Sequence, residues 1–294
     1  MESTTSSFQS SADGLSIATY RWAPSGTPIA AVQLAHGVAE HSGRYARLAE
    51  ALTRAGYLVY ANDHRGHGAS INGAAGGDVT LGSFGAAGWP ALIGDAVAFS
   101  ESIHADNPEL ELFLIAHSMG SFAAQEIILD HSELYQGVVL TGSTALDLLA
   151  QGLAAAGDGP VELTAFNAAF ENRTGYEWLS RDDAEVDKYV ADPLSGFDLA
   201  DDTVPQLFTA AVRLADPAAL AGIRKDLPIL IASGQDDPLS GGGQLVGALA
   251  QRYRDAGVKD VTLTVYPGAR HEIFNETNRD EITADVIAWL AAHR

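Results

Sequence analysis

The sequence predicts an α/β protein with a mostly parallel central sheet, helices on both faces and an inserted helical cap. Three observations lead there. Apolar, strand-like runs near residues 15–22, 30–35, 57–62, 112–116, 138–142, 228–233 and 261–266 alternate with helix-like segments near 43–55, 91–105, 120–131, 243–256 and 279–293. Strands separated by helical stretches read as βαβ units, in which each crossover helix packs back onto the sheet. Runs such as Leu112–Ala116 and Ile229–Ala232 are apolar throughout, as strands covered on both faces should be. The interval 144–217 is too long for a simple crossover and carries Leu148, Leu149, Leu153, Phe166, Phe170 and Trp178. It reads as a cap, dividing the chain into a core of residues 1–143 and 218–294 and a cap of residues 144–217. Some of these side chains must form the cap's own core, and Gly157, Asp158 and Gly159 could permit its movement.

Taken in chain order, the strand ends carry the chemistry. Ile29-Ala-Ala-Val-Gln-Leu-Ala-His-Gly37 is followed by Val38-Ala-Glu-His-Ser-Gly-Arg-Tyr45 and an amphipathic helix through Arg54. Leu112-Phe-Leu-Ile-Ala-His-Ser-Met-Gly120 breaks at Ser118 between small residues and continues as the helix-like Ser121–Leu129. That strand-turn-helix reads as a nucleophile elbow, a turn that lifts the serine hydroxyl above the end of a parallel strand. Ala116 and Gly120 fill the flanking small positions, Ala116 where the usual pattern has glycine. Leu227-Pro-Ile-Leu-Ile-Ala-Ser-Gly234 ends in Gln235-Asp-Asp-Pro238, and Val261–Tyr266 ends in Pro267-Gly-Ala-Arg-His-Glu272.

An isolated serine hydroxyl is a poor nucleophile, so it needs a histidine base, and the histidine needs a carboxylate to fix its tautomer. The chain order Ser118, Asp237, His271 supplies all three from strand-end loops. Asp237, three residues after Gly234, is preferred to the neighbouring Asp236. An oxyanion forming at the carbonyl would be held by the backbone amides of Val38 and Met119, a device worth about 3 kcal/mol per donor. Glu40 and Arg44 follow the same strand; they either pair structurally, the favoured reading, or touch a glycerol-like headgroup. His117 is a poor base candidate, since adjacent elbow residues point different ways. His64 and His67 brace a strand-end loop and lack carboxylates at ligand spacing, so no metal is expected. Gly241-Gly-Gly243 lacks the Lys-Ser/Thr of a phosphate loop and reads as a turn into a helix.

Composition narrows the classes further. The 294 residues are 47% apolar, enough for one α/β core plus an insertion. With no cysteine, disulfides, thiolate metal sites and cysteine nucleophiles drop out together. A net charge of -21 argues against nucleic acid and against electrostatic binding to anionic membranes. Met1-Glu-Ser-Thr-Thr-Ser-Ser lacks a basic, apolar leader pattern, and no run approaches about 18 apolar residues. A soluble, cytoplasmic protein without stable membrane insertion is expected, of open oligomeric state.

The strings His36-Gly-Val-Ala-Glu-His-Ser-Gly-Arg-Tyr45, Asn62-Asp-His-Arg-Gly-His-Gly-Ala-Ser70, Ala116-His-Ser-Met-Gly120 and Gly268-Ala-Arg-His-Glu272 resemble the monoacylglycerol lipase and lysophospholipase group of α/β-hydrolases. Trp178–Tyr189 and Ala191-Asp-Pro-Leu194 resemble that group's cap segment. The resemblance runs from about residue 8 to the end. It implies an α/β-hydrolase fold and a serine hydrolase acting, without cofactor, on small carboxylic esters with one acyl chain. A general short-chain carboxylesterase or an acyltransferase would use the same triad, and a non-catalytic receptor on this fold is the remaining alternative.

Overall fold

The computed structural model describes residues 2–72, 78–156 and 162–294. Its strands are β1 (Glu2–Gln9), β2 (Ser16–Ala23), β3 (Ala31–Ala35), β4 (Leu58–Asn62), β5 (Leu112–His117), β6 (Gly137–Thr141), β7 (Ile229–Gly234) and β8 (Val261–Tyr266). They form one sheet in the order β1-β2-β4-β3-β5-β6-β7-β8. β1 pairs antiparallel with β2, and β2 with β4; every later pairing is parallel.

Alternation along each strand feeds two apolar layers. Leu114, Leu140 and Ile231 face Trp89, Leu92 and Phe99 of α2 (Gly88–Asp106), Ile127 of α3 (Met119–His131) and Leu249 of α9 (Gln244–Asp255). Their strand neighbours Ile115, Val139 and Leu230 face Leu48 and Leu52 of α1 (Ala46–Arg54), and Val286 and Leu290 of α10 (Arg279–Ala292). The continuously apolar strands are therefore buried on both faces, as expected.

One strand was not legible. β1, Glu-Ser-Thr-Thr-Ser-Ser-Phe-Gln, is exposed at every position except the half-buried Phe8. It lies at the edge of the sheet, buries little, and so carries no alternation; full register with β2 from Glu2↔Ala23 to Gln9↔Ser16 holds it. Between β6 and β7 lie α4 (Leu146–Ala156), α5 (Asp183–Ala191), α6 (Thr203–Phe208), α7 (Ala211–Leu214) and α8 (Pro217–Leu220). The hinge expected at Gly157–Gly159 falls outside the described residues. Among the described residues, no helix is long and apolar enough to cross a membrane.

The loop after β4 is tied down by Arg65, which is fully buried. Its guanidinium donates to Asp95 Oδ2 of α2 at 3.0 Å, to Asp13 Oδ2 at 2.9 Å, to Ser10 Oγ at 3.0 Å and to the Phe84 carbonyl at 3.2 Å. One side chain thus joins the β1–β2 turn, α2 and the β4 loop. Removing it leaves the buried Asp95 uncompensated. Arg65→Met is expected to destabilise the fold by about 3–5 kcal/mol, read as a lower urea midpoint with an unchanged m-value; a midpoint like the parent's would refute the clamp.

Candidate active site

β5 ends at His117 and α3 begins at Met119, leaving Ser118 alone in the turn with φ 50° and ψ -121°. A non-glycine residue there is strained, and such strain persists only where the surroundings over-determine it. The surroundings do. The Ser118 amide donates to the Thr141 carbonyl of β6 at 2.9 Å, while its own carbonyl accepts from the amides of Ser121 and Phe122 at 2.8 and 3.1 Å and from Ser121 Oγ at 2.6 Å. A Cβ on Gly120 would lie 2.5 Å from the Ala35 carbonyl oxygen and 2.6 Å from that of His36. Helix and strand therefore approach closely only because that residue is glycine. The methyl of Ala116 is accommodated because its neighbour on β3 is the equally small Ala35.

His271 sits in the loop after β8, where its amide donates to the Trp178 carbonyl at 3.2 Å. Its Nδ1 lies 3.0 Å from Asp237 Oδ2, and Asp237 Oδ1 accepts from the Leu239 amide at 2.9 Å. Asp237, which makes this contact, is buried, whereas Asp236 is exposed. Burial alone would lower the His271 pKa, but the Asp237 charge and hydrogen bond outweigh it and raise the value above 6.5. His117 behaves oppositely: burial, with His271 beside it, pushes its pKa well down. Its Nδ1 pairs with Thr141 Oγ1 at 3.1 Å.

Ser118 and His271 open on one cavity. Among the described residues no hydrogen bond joins Ser118 Oγ to the imidazole. Val38 and Met119 line the same cavity, and neither amide has an acceptor among the described residues. Its lining includes Glu40, Glu272 and His117, the first two joined through Arg44 and the last with its ring 4.7 Å from that of His271, together with the apolar Phe122, Leu149, Phe166, Leu199 and Phe208.

Glu40 and Arg44 are engaged with protein. Glu40 Oε1 accepts from the Gly37 amide at 2.6 Å and from the Tyr45 hydroxyl at 2.8 Å. Arg44 donates to Glu40 Oε2 at 2.7 Å and, bidentately, to Glu272 at 2.5 and 2.7 Å, with the Tyr189 ring 4.8 Å away. Tyr189 in turn donates from its hydroxyl to the Ala39 carbonyl at 3.0 Å, where Ala39 has a positive φ of 52°. Sequence reasoning missed Glu272 as a site neighbour and assigned Trp178 and Tyr189 only to the cap segment. Glu272 adjoined the candidate base in the sequence, and that adjacency was the available signal.

The family described as serine aminopeptidase, S33, matches residues 26–278. The chain belongs to this family. Among its curated relatives, the monoacylglycerol lipase of Mycolicibacterium smegmatis is 31% identical over 92% of this chain and 91% of that protein. The monoglyceride lipase of Mus musculus is 30% identical, over 96% of this chain and 89% of its own. A thermostable carboxyl esterase from Bacillus coagulans in complex with glycerol superposes with a TM-score of 0.85, at 26% identity and with 99% of each chain covered. This S33 member is thus a hydrolase of α/β-hydrolase fold, similar to monoacylglycerol lipases.

In an NMR titration the His271 imidazole is expected to protonate above 6.5. Asp237→Asn, which keeps the burial and removes the charge, should lower that value by about one unit or more. Because the folded-state value is raised, the protonated ring adds stability that is fully present below the unfolded histidine pKa and is lost as pH rises through the folded one. An unshifted titration in Asp237→Asn would show that the pair does not set the base.

Proposed function

We propose that this S33 hydrolase cleaves carboxylic esters carrying one acyl chain, monoacylglycerols above all, through an acyl-enzyme on Ser118. The observation that carries the proposal is the Asp237–His271 pair, 3.0 Å apart, opening on the same cavity as the strained Ser118. Asp237 holds the His271 Nδ1–H, leaving the other ring nitrogen to take the serine proton. The absent Ser118–His271 contact forms when substrate enters, as nucleophile–base bonds often tighten on binding.

Attack on the ester carbonyl forms the Ser118 Oγ–C bond and moves charge to the carbonyl oxygen. The unpaired amides of Val38 and Met119 then donate hydrogen bonds to that oxyanion, Met119 aided by the N-terminal end of α3. His271 passes its proton to the departing alcohol, and water repeats the sequence on the acyl-enzyme. Every step uses this chain's side chains and backbone.

Residues 144–217 form the cap in this reading, with α8 straddling the expected boundary to the core. Leu149, Leu163, Phe166, Val204 and Phe208 from that segment line the cavity over Ser118, which suits an acyl chain and excludes water. Glu40 and Arg44 take positioning roles, because every polar atom of Glu40 is bonded to protein. The similarity to monoacylglycerol lipases supports the glyceride preference.

The test is hydrolysis of p-nitrophenyl esters from acetate to palmitate alongside 1-monoacylglycerols. A mid-to-long-chain optimum with monoacylglycerol turnover is expected; short-chain preference without glyceride turnover would make the protein a general carboxylesterase. Ser118→Ala should lower kcat by about a million-fold with circular dichroism unchanged. The wild-type kcat/KM should fall as pH drops through an apparent pKa above 6.5, since His271 must be neutral to act as base. Undiminished turnover by Ser118→Ala in a pure sample would sink the assignment.

A further inference from the structure

We propose that Glu272 makes the alcohol end of the cavity a charge filter, admitting esters of neutral or cationic alcohols and rejecting those whose alcohol bears a phosphate or another anion. The inference rests on the ester-hydrolase reading and deepens it by naming the substrate's charge class. His271 would protonate the alcohol as it leaves, and Glu272, the next residue along the chain, lines the same cavity, so the alcohol departs in the neighbourhood of Glu272. Glu40 and Glu272 both line the cavity and share Arg44, and among the described residues no lysine or arginine lines it.

Arg44 borders, with Arg47, a smaller cavity that shares His117 and Glu272 with this one. Its guanidinium is committed to Glu272 through two bonds of 2.5 and 2.7 Å and to Glu40 through one of 2.7 Å. Two carboxylates around one guanidinium leave the cluster with one surplus negative charge. Its side chains are 10% exposed or less, so water and salt screen that charge weakly. An anionic alcohol would meet a like charge and find no free cation to pair with. A glycerol hydroxyl can donate to carboxylate oxygens, and a quaternary ammonium gains from them.

The global charge of -21 would also repel anions, but by steering, which fades with ionic strength. The two effects are therefore separable. The experiment compares three octanoyl esters, of glycerol, of choline and of glycerol 3-phosphate, by pH-stat in low salt and in about 1 M NaCl, where the screening length is about 3 Å. The phosphate ester is expected to have a kcat/KM on the order of 100-fold below the glycerol ester, the scale for like charges about 5 Å apart at an effective dielectric of about 20. At least about a tenfold difference should survive in high salt, with the choline ester hydrolysed as well as the glycerol ester.

Glu272→Gln removes the surplus charge and should raise the phosphate-to-glycerol ratio by about tenfold or more. Arg44→Gln adds to the surplus and should lower it. A purely structural role would depress all three esters together and leave the ratio fixed. Equal turnover of the three by wild type, selectivity that vanishes in high salt, or a ratio unmoved by Glu272→Gln would each overturn the filter while leaving the hydrolase reading intact. Turnover of none of them would instead bring down the hydrolase reading, and the filter with it. The wild-type series decides the matter even if the variants fail to fold.

Discussion

The buried guanidinium of Arg44 is the interaction on which the site depends. It bonds Glu40 in the loop after β3 and Glu272 in the loop after β8, and these strands are separated in the sheet by β5, β6 and β7. Glu40 carries the constraint inward by accepting from the Gly37 amide; Glu272 carries it to the adjacent His271. The loop bearing one proposed oxyanion donor and the loop bearing the proposed base thus share a single cation. Burying three charges costs desolvation energy, which a bidentate geometry with the remaining oxygens bonded can offset. Glu40 meets that condition through Gly37 and Tyr45, and Glu272 through Asn275, whose side-chain amide donates at 2.8 Å.

Strain is placed in the same region and held from both sides. Ser118 and Ala39 are the non-glycine residues with positive φ among the described residues, and each flanks a proposed oxyanion amide. Ser118 is fixed by the β6 carbonyl and by the first turn of α3. Ala39 is fixed by Glu40 beneath and by Tyr189 and Gly196 of the segment above, whose hydroxyl and amide donate to its carbonyl at 3.0 and 2.9 Å. The segment between β6 and β7 therefore does more than line a cavity. It pins the backbone next to Val38, one of the proposed oxyanion donors, so its packing and the proposed chemistry are coupled through one carbonyl.

How much the sequence disclosed follows from which interactions are local. The parallel strands were readable because burial on both faces makes them continuously apolar, and β1 was not, because an exposed edge strand is held by backbone pairing that leaves no pattern. Ser118 was readable because the elbow demands small residues at 116 and 120, and Gly120 meets that demand through contacts within one strand-helix unit and the adjacent β3. Asp237 could be preferred over Asp236 by spacing, and burial explains the preference. The headgroup question around Glu40 and Arg44 stayed open, because its answer depends on Glu272, 228 residues further along than Arg44. Trp178 escaped as a site neighbour for the same reason: its carbonyl orients the His271 backbone across a separation no local pattern records.

The histidines show why composition cannot identify a base. His36, His64, His67 and His117 are all buried around the strand ends, and burial penalises the charged ring in each. It holds His64 at about 3 and His67 at about 4, and His36 and His117 well below the ordinary range. Mutual repulsion adds to this, since the His36 ring centroid lies 4.4 Å from that of His64 and 5.3 Å from that of His67. The His36, His67 and His117 rings act as hydrogen-bonding struts: the His64 amide donates to His36 Nε2 at 2.9 Å, His67 Nδ1 lies 3.0 Å from the Arg65 carbonyl and His117 Nδ1 lies 3.1 Å from Thr141 Oγ1. His271 is equally buried, yet its pKa moves the other way, because a carboxylate lies against its Nδ1. One hydrogen bond to Asp237 thus separates the proposed base from a group of buried imidazoles with lowered pKa values, and the nearby Glu272 and Glu40 reinforce it. The negative cluster proposed to exclude anionic alcohols therefore also favours the imidazolium required by the proposed acyl transfer, so in that proposal substrate selection and base strength draw on the same charges.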